Sequence, residues 1–248
     1  MPQEQILVLR HAVSAWFDGP FGRSLHAIEA NRLRSVLPPF FGRFAVQLGL
    51  TGKTDLLESS SMPTRAVLDV IGEPRKPDVY GFPEALPFDA RSVDLVLLPH
   101  TLDFSGDPHQ VLRETHRVLV PEGHAVILGF NPVSLWGIQR LLARRRGVPW
   151  SAQFIRLMRI RDWLALLDFE WVAGRMMHYR PLLRSEGLME RFHFLDTIGD
   201  RWWPLGAAVY LIVAKKRVAG MTTLRPIWKM SRRRRVSGLR YPVGIRRE

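Results

Sequence analysis

The sequence predicts an α/β protein built on a mostly parallel sheet with helices on both faces. Two observations carry this. The stretches "SVDLVLLPH" (92–100) and "AVILGF" (125–130) are near-continuous apolar runs, the pattern of strands buried on both faces. Between them lies a capped amphipathic helix, so 92–130 reads strand–helix–strand, a crossover whose usual outcome is parallel pairing. Strands and helices continue to alternate on either side.

Taken in order, "SLHAIEANRLRSVL" (24–37) spaces Leu25, Ile28, Leu33, Val36 and Leu37 as a helix does, with Ser24 as its N-cap and Pro38 and Pro39 as its stop. A strand over 45–49 then runs into a turn, and "DLLESSS" reads as a short helix. "AVLDVI" (66–71) is a strand by β-branched content, and 77–82 is a second short one. In the crossover, Asp107 caps, Pro108 takes the first helical position, and Val111, Leu112, Val118 and Leu119 share one face. "PEGH" is a turn. The runs from 134 and over 159–169 are amphipathic helices, and 170–179 and 207–216 are strands.

The 248 residues, 46% of them hydrophobic, suit one domain with appendages. The segments are an N-terminal helical extension (1–40), a central domain (41–220) and a basic tail (221–248), expected to be poorly ordered unless bound. There is no cysteine, so disulfides and thiolate metal sites are excluded and a cytoplasmic location is compatible. No secretory signal opens the chain, and "PLGAAVYLIVA" (204–214) is too short for a membrane-spanning helix.

The net charge of +13 is unevenly placed. Residues 140–161 hold seven arginines and no acid, and the tail holds nine Lys or Arg against one Glu. Such concentrations attract nucleic acid, acidic lipid or an anionic substrate. Arg144, Arg145, Arg146 and the run Arg232, Arg233, Arg234, Arg235 are the candidate contacts; a solvated tail is the plain alternative.

One segment carries a family likeness. "EALPF", "SVDLV", "PHQVLRETHRVL" and "PEG" follow one another within 84–130. In order and spacing they resemble the Rossmann-like S-adenosylmethionine-dependent methyltransferases. The likeness implies a Rossmann-like methyltransferase fold with an antiparallel last strand, and S-adenosylmethionine as cofactor. It also implies that "AVQLGLTG" (45–52) is the cofactor turn, with Gly49 and Gly52 letting the ligand approach backbone amides at a helix start. The family's acid before this turn is replaced by Gln47, and the helix between the second and third strands is missing.

The likeness, together with the rule that ligands sit beyond the carboxyl ends of strands, implies the remaining site residues. Glu73 or Asp69 would hold the ribose, Phe82 would stack on adenine, and Glu84, Leu86 and Pro99 would complete the cofactor pocket. His100 is the candidate general base, with Asp103 as base or orienter; a hydrogen-bonded pocket-wall histidine is the alternative. Asn131 and Trp136 are candidate acceptor contacts, set against a turn-forming Asn and a core Trp. Trp202 and Trp203 beside arginines would suit a base or a lipid surface, or a lid. His109, His116 and His124 lack metal-ligand spacing, and no metal is expected. The expected function is a methyltransferase of unassigned acceptor. The rival is a non-catalytic polyanion-binding protein of the same fold, and a peripheral enzyme of lipid or quinone precursors is a third reading. The catalytic readings require room for a sulfonium nucleoside at Gly49–Gly52.

Overall fold

The structure, a computed structural model, describes residues 3–49, 51–52, 55–72, 76–143, 147–179 and 206–217. The chain divides into Met1–Val218 and Ala219–Glu248, the second outside the described residues. In order the elements are α1 (Gln3–Asp18), α2 (Pro20–Val36), β1 (Phe44–Leu48), β2 (Thr64–Asp69), β3 (Val79–Tyr80), β4 (Val93–Pro99), α3 (Thr101–Phe104), α4 (Pro108–Val118), β5 (Leu119–Phe130), α5 (Leu135–Ala143), α6 (Leu157–Leu166), β6 (Phe169–Met177) and β7 (Val209–Lys216).

The seven strands form one sheet in the order β3-β2-β1-β4-β5-β7-β6. The five strands from β3 to β5 pair in parallel, and β7 runs antiparallel to both β5 and β6. This is the mostly parallel sheet with an antiparallel last strand that the sequence predicts.

Side chains alternate across the sheet with period two. Ala45, Leu95, Leu97, Val126 and Leu128 face a core shared with Val13 and Phe17 of α1 and Leu25 and Leu33 of α2. Val46, Leu48, Val96, Leu98 and Ile127 face the other core, closed by Val111 and Leu112 of α4 and by Ile160 and Leu164 of α6. The crossover helix forms as its sequence dictates: the Asp107 carboxylate accepts from the Gln110 amide at 3.0 Å and Pro108 opens the first turn.

Several local expectations are corrected. "PEGH" lies within β5 rather than in a turn before it. The first helix of the 24–37 region begins at Pro20, so Ser24 lies inside α2 and caps nothing; Pro20 supplies the pre-set first turn. A second helix, α1, precedes it. "DLLESSS" is a turn, because the Asp55 carboxylate accepts from the Leu57 amide at 2.9 Å and closes the chain locally. Consequently no helix stands between β1 and β2 or between β2 and β3 among the described residues. The α1–α2 pair covers that sheet face, together with Leu56, Leu57 and Met62.

Candidate functional site

A cleft opens beyond the carboxyl ends of β1, β2 and β4, the expected ligand position of an open α/β sheet. Gly49, Asp69, Glu84, Thr101 and Ser105 border it, with Leu68, Val70 and Phe104 as apolar wall and Ile6 and Arg10 of α1 on the outer side. Gly49 sits at φ +96, a conformation that favours glycine, and its N–H donates to the Leu68 carbonyl at 2.7 Å. The Thr101 hydroxyl donates to the Leu48 carbonyl at 2.5 Å, which fixes the end of β1 against α3. The Ser105 hydroxyl donates to Glu84 at 2.5 Å.

Asp69 ends β2 with its side chain 1% exposed. Oδ1 accepts from the Val70 amide at 2.6 Å and from Arg10 Nε at 3.2 Å, while Arg10 Nη2 donates to Oδ2. The guanidinium thereby lies across the cleft: a Cβ on Gly49 would sit 3.2 Å from Arg10 Nη2. With Arg10 in place the cleft holds a cavity of about 30 Å³. A site for a drug-sized ligand needs about 300–1,000 Å³.

His100 is corrected as a general base. It is fully buried at the end of β4, with Nδ1 donating to Asp103 Oδ2 at 2.9 Å and Nε2 to Glu29 Oε1 at 2.7 Å. Both ring nitrogens are therefore committed, as in an imidazolium. Burial alone would lower its pKa, but the Glu29 charge and the hydrogen bonds the ring donates to Asp103 and Glu29 outweigh it and raise the value to about 9. The Phe130 ring stacks on it at 4.1 Å. A protonated group sealed from the cleft has no lone pair to offer a substrate. Asp103 is corrected with it: the carboxylate is buried and also accepts from the Phe130 amide at 2.9 Å. Burial raises its pKa, against the opposing bond from His100.

Other candidates divide similarly. Gly49 and Glu84 border the cleft, whereas Gly52 (φ +120) packs on His26 of α2, whose ring lies 3.3 Å from the place of a Cβ. Leu86 is a core residue whose amide donates to Glu114 at 2.9 Å. Phe82 bridges to Ala85, and Pro83 and Glu84 form the cleft wall there. Pro99 is buried in register with Leu128, and Thr101 takes the place beside the cleft. Asn131 is corrected as an acceptor contact: its amide donates to the Ala207 carbonyl at 2.9 Å and accepts from the Val133 amide at 3.1 Å, fixing the turn after β5. Trp136, 1% exposed, packs on Trp16 and Phe130 in the core. Glu73, Arg144–Arg146, Trp202, Trp203 and Arg232–Arg235 lie outside the described residues.

Sequence reasoning missed Arg10 and Glu29. A signal for α1 exists, since Ile6, Leu9, Val13 and Phe17 recur at helical spacing. Nothing local marks Arg10 as facing a cleft. A second concavity lies beyond Pro132, lined by Phe154, Arg156, Arg159, Asp162 and Trp163. Arg159 stacks over Trp163 at 5.6 Å and Arg140 over Phe154 at 5.0 Å.

Fold and cleft define the class: a seven-stranded α/β protein with a cleft at the carboxyl edge of β1, β2 and β4. Comparison with known proteins adds likenesses in sequence and fold. A model described as a methyltransferase domain matches residues 73–127. "Uncharacterized protein YafS" of Escherichia coli (strain K12) is 31% identical over 238 residues, which cover 96% of this chain and 93% of that one. Among solved structures, a chain in the complex of the Haloferax volcanii Trm112 methyltransferase activator with a methyltransferase aligns at TM-score 0.58 and 18% identity, covering 85% of this chain and 98% of the other. An S-adenosylmethionine-dependent methyltransferase from Thermotoga maritima aligns at TM-score 0.56 and 18% identity, covering 86% and 94%. The chain is a relative of that Escherichia coli protein, carries a methyltransferase-domain match over residues 73–127, and has the Rossmann-like methyltransferase fold.

Solved neighbours from Thermotoga maritima and Archaeoglobus fulgidus are described as dependent on S-adenosylmethionine. The residues present fit its nucleoside half. A buried carboxylate ends β2 where ribose hydroxyls need an acceptor, a side-chain-free turn lies beside it, and apolar side chains wall the space. The Arg10 guanidinium, which overlies the Gly49 turn, must yield room.

Proposed function

We propose that this protein is an S-adenosylmethionine-dependent methyltransferase. The observation that carries the reading is Asp69, a buried acid at the end of β2 beside the Gly49 turn. The cofactor supplies an electrophilic methyl on a sulfonium, and the chain's task is to align it and exclude water. Asp69 accepts the ribose hydroxyls, Gly49 admits the ligand against the backbone, and Leu68, Val70 and Phe104 enclose its apolar parts. With His100 and Asp103 sealed in the core, Asp69 and Glu84 are the cleft's acids among the described residues. Calorimetric titration with S-adenosylmethionine tests this. Saturable binding is expected, weakened at least about tenfold by Asp69→Asn. No heat and no thermal shift at millimolar ligand would end the enzyme reading and leave the non-catalytic alternative.

The groove past Pro132 favours an anionic acceptor, or a polyanion in the non-catalytic alternative. Arginine stacked on aromatic rings presents cations beside flat apolar surfaces, which suits bases and phosphates. Arg144–Arg146 and the Arg232–Arg235 run extend this reading by charge. Binding of single-stranded RNA should weaken steeply with salt, and the log–log slope should fall by about one for each of Arg156→Ala and Arg159→Ala. A slope indifferent to both substitutions removes the groove from the interface.

A further inference from the structure

We propose that Arg10 is a cofactor-binding residue with two positions: it pairs with Asp69 when the cleft is closed and with the carboxylate of the ligand's amino-acid end when the nucleoside takes Asp69. This rests on the cofactor reading above and adds to it a residue outside the methyltransferase motifs.

Three observations lead there. First, Arg10 and the ribose need the same atoms. Oδ1 of Asp69 already accepts from Val70 and Arg10 Nε, and Oδ2 accepts from Arg10 Nη2. Oδ1, which also accepts from the Ile71 amide at 3.4 Å, has no site left, so a ribose hydroxyl that reaches it displaces Arg10 Nε. Second, the same guanidinium overlies the turn the ligand must cross, with Nη2 3.2 Å from the place of a Gly49 Cβ and a cavity of about 30 Å³ beside it. Entry therefore moves Arg10. Third, the charge at that end is inverted relative to the family pattern. Where an acid would meet the ligand's ammonium stands the neutral Gln47, whose Nε2 donates to the Gly49 carbonyl at 2.8 Å, and a cation from α1 stands nearby.

An amino-acid end carries both an ammonium and a carboxylate. With the acid gone and a guanidinium present, recognition passes to the carboxylate, which matches the guanidinium fork in two parallel hydrogen bonds. The helix need not move. Val13 and Phe17, one and two turns further on, are held in the core at 0% and 1% exposure, so the long Arg10 side chain makes the swing.

S-adenosylhomocysteine and 5′-methylthioadenosine share the nucleoside and differ in the amino-acid end, so their affinities for wild type and Arg10→Ala, read by calorimetry, separate the two positions. The substitution should tighten methylthioadenosine by about threefold or more by freeing Asp69, and should cut the preference for S-adenosylhomocysteine by about tenfold. Arg10→Gln should behave as Arg10→Ala, and Arg10→Lys should keep part of the preference; either serves if the alanine variant does not fold. An unchanged preference overturns the proposal even where methylthioadenosine tightens, for Arg10 is then a plug alone. Unchanged or weaker methylthioadenosine binding also overturns it. If neither ligand binds any of the proteins, the cofactor reading itself fails and this inference falls with it.

Discussion

His100 holds a proton where solvent does not reach. Glu29 of α2 and Asp103 of α3 take its two N–H groups, and the Phe17 and Phe130 rings enclose it. The folded pKa of about 9 lies above the ordinary 6.5. The associated stability is therefore complete below pH 6.5 and is lost as pH rises through 9. Asp103, held above its usual value by burial, tilts the curve the same way at lower pH. The thermal midpoint of the wild type should fall between pH 6.5 and pH 9. Glu29→Gln removes the charge that most strongly raises His100 and should move that fall to lower pH. Superimposable pH curves for the two proteins would show that the imidazolium does not hold α2 to the sheet. The sequence marks His100 as the residue closing β4. It does not mark Glu29, 71 residues earlier, which turns a candidate base into a structural cation.

At the scale of elements, two pieces of the family pattern prove to be one device. Glu114 and Arg117 of α4 bond to each other at 2.8 Å and both reach the "LPF" loop. Glu114 accepts from the Leu86 amide at 2.9 Å, and Arg117 donates to the Leu86 and Phe88 carbonyls at 2.9 Å. The helix thus stitches down the loop that leads into β4. Hydrogen bonds to charged groups contribute about 1.5–3 kcal/mol. Glu114→Gln and Arg117→Met should each lower the urea midpoint, and the double variant should lose less than the sum. Additive losses would mean the two residues act separately. The Arg117 hydrogen bond holds the Glu114 carboxyl below its usual range, so this contribution is present at neutral pH and lost as pH falls through the lowered value. The spacing E-x-x-R was legible because both residues lie one turn apart on one helix face. Its purpose was not, because Leu86 and Phe88 come to it through the fold.

At the scale of the molecule, α1 and α2 are a layer of the sheet. With no helix between β1, β2 and β3 among the described residues, the face carrying Ala45, Leu95, Leu97 and Leu128 has these two helices as cover. Deleting residues 1–40 should expose that face and abolish cooperative unfolding, seen as aggregation in size-exclusion chromatography and a broad melt. A truncated chain that is monodisperse and melts sharply would show the layer to be dispensable. The same layer delivers Arg10 to the cleft and Glu29 to His100.

The amino-acid pattern was enough for the α/β class, the 92–130 crossover, the cap at Asp107 and the likeness to the methyltransferases. Those signals are local: hydrophobic period, β-branched runs and turn chemistry act over a few residues. Which acids and bases meet the ligand is another matter. That His100 is sealed, that Asn131 and Trp136 serve the framework, and that Arg10 faces Asp69 across 59 residues follow from packing between distant segments, where burial and charge pairing depend on neighbours that chain order does not reveal.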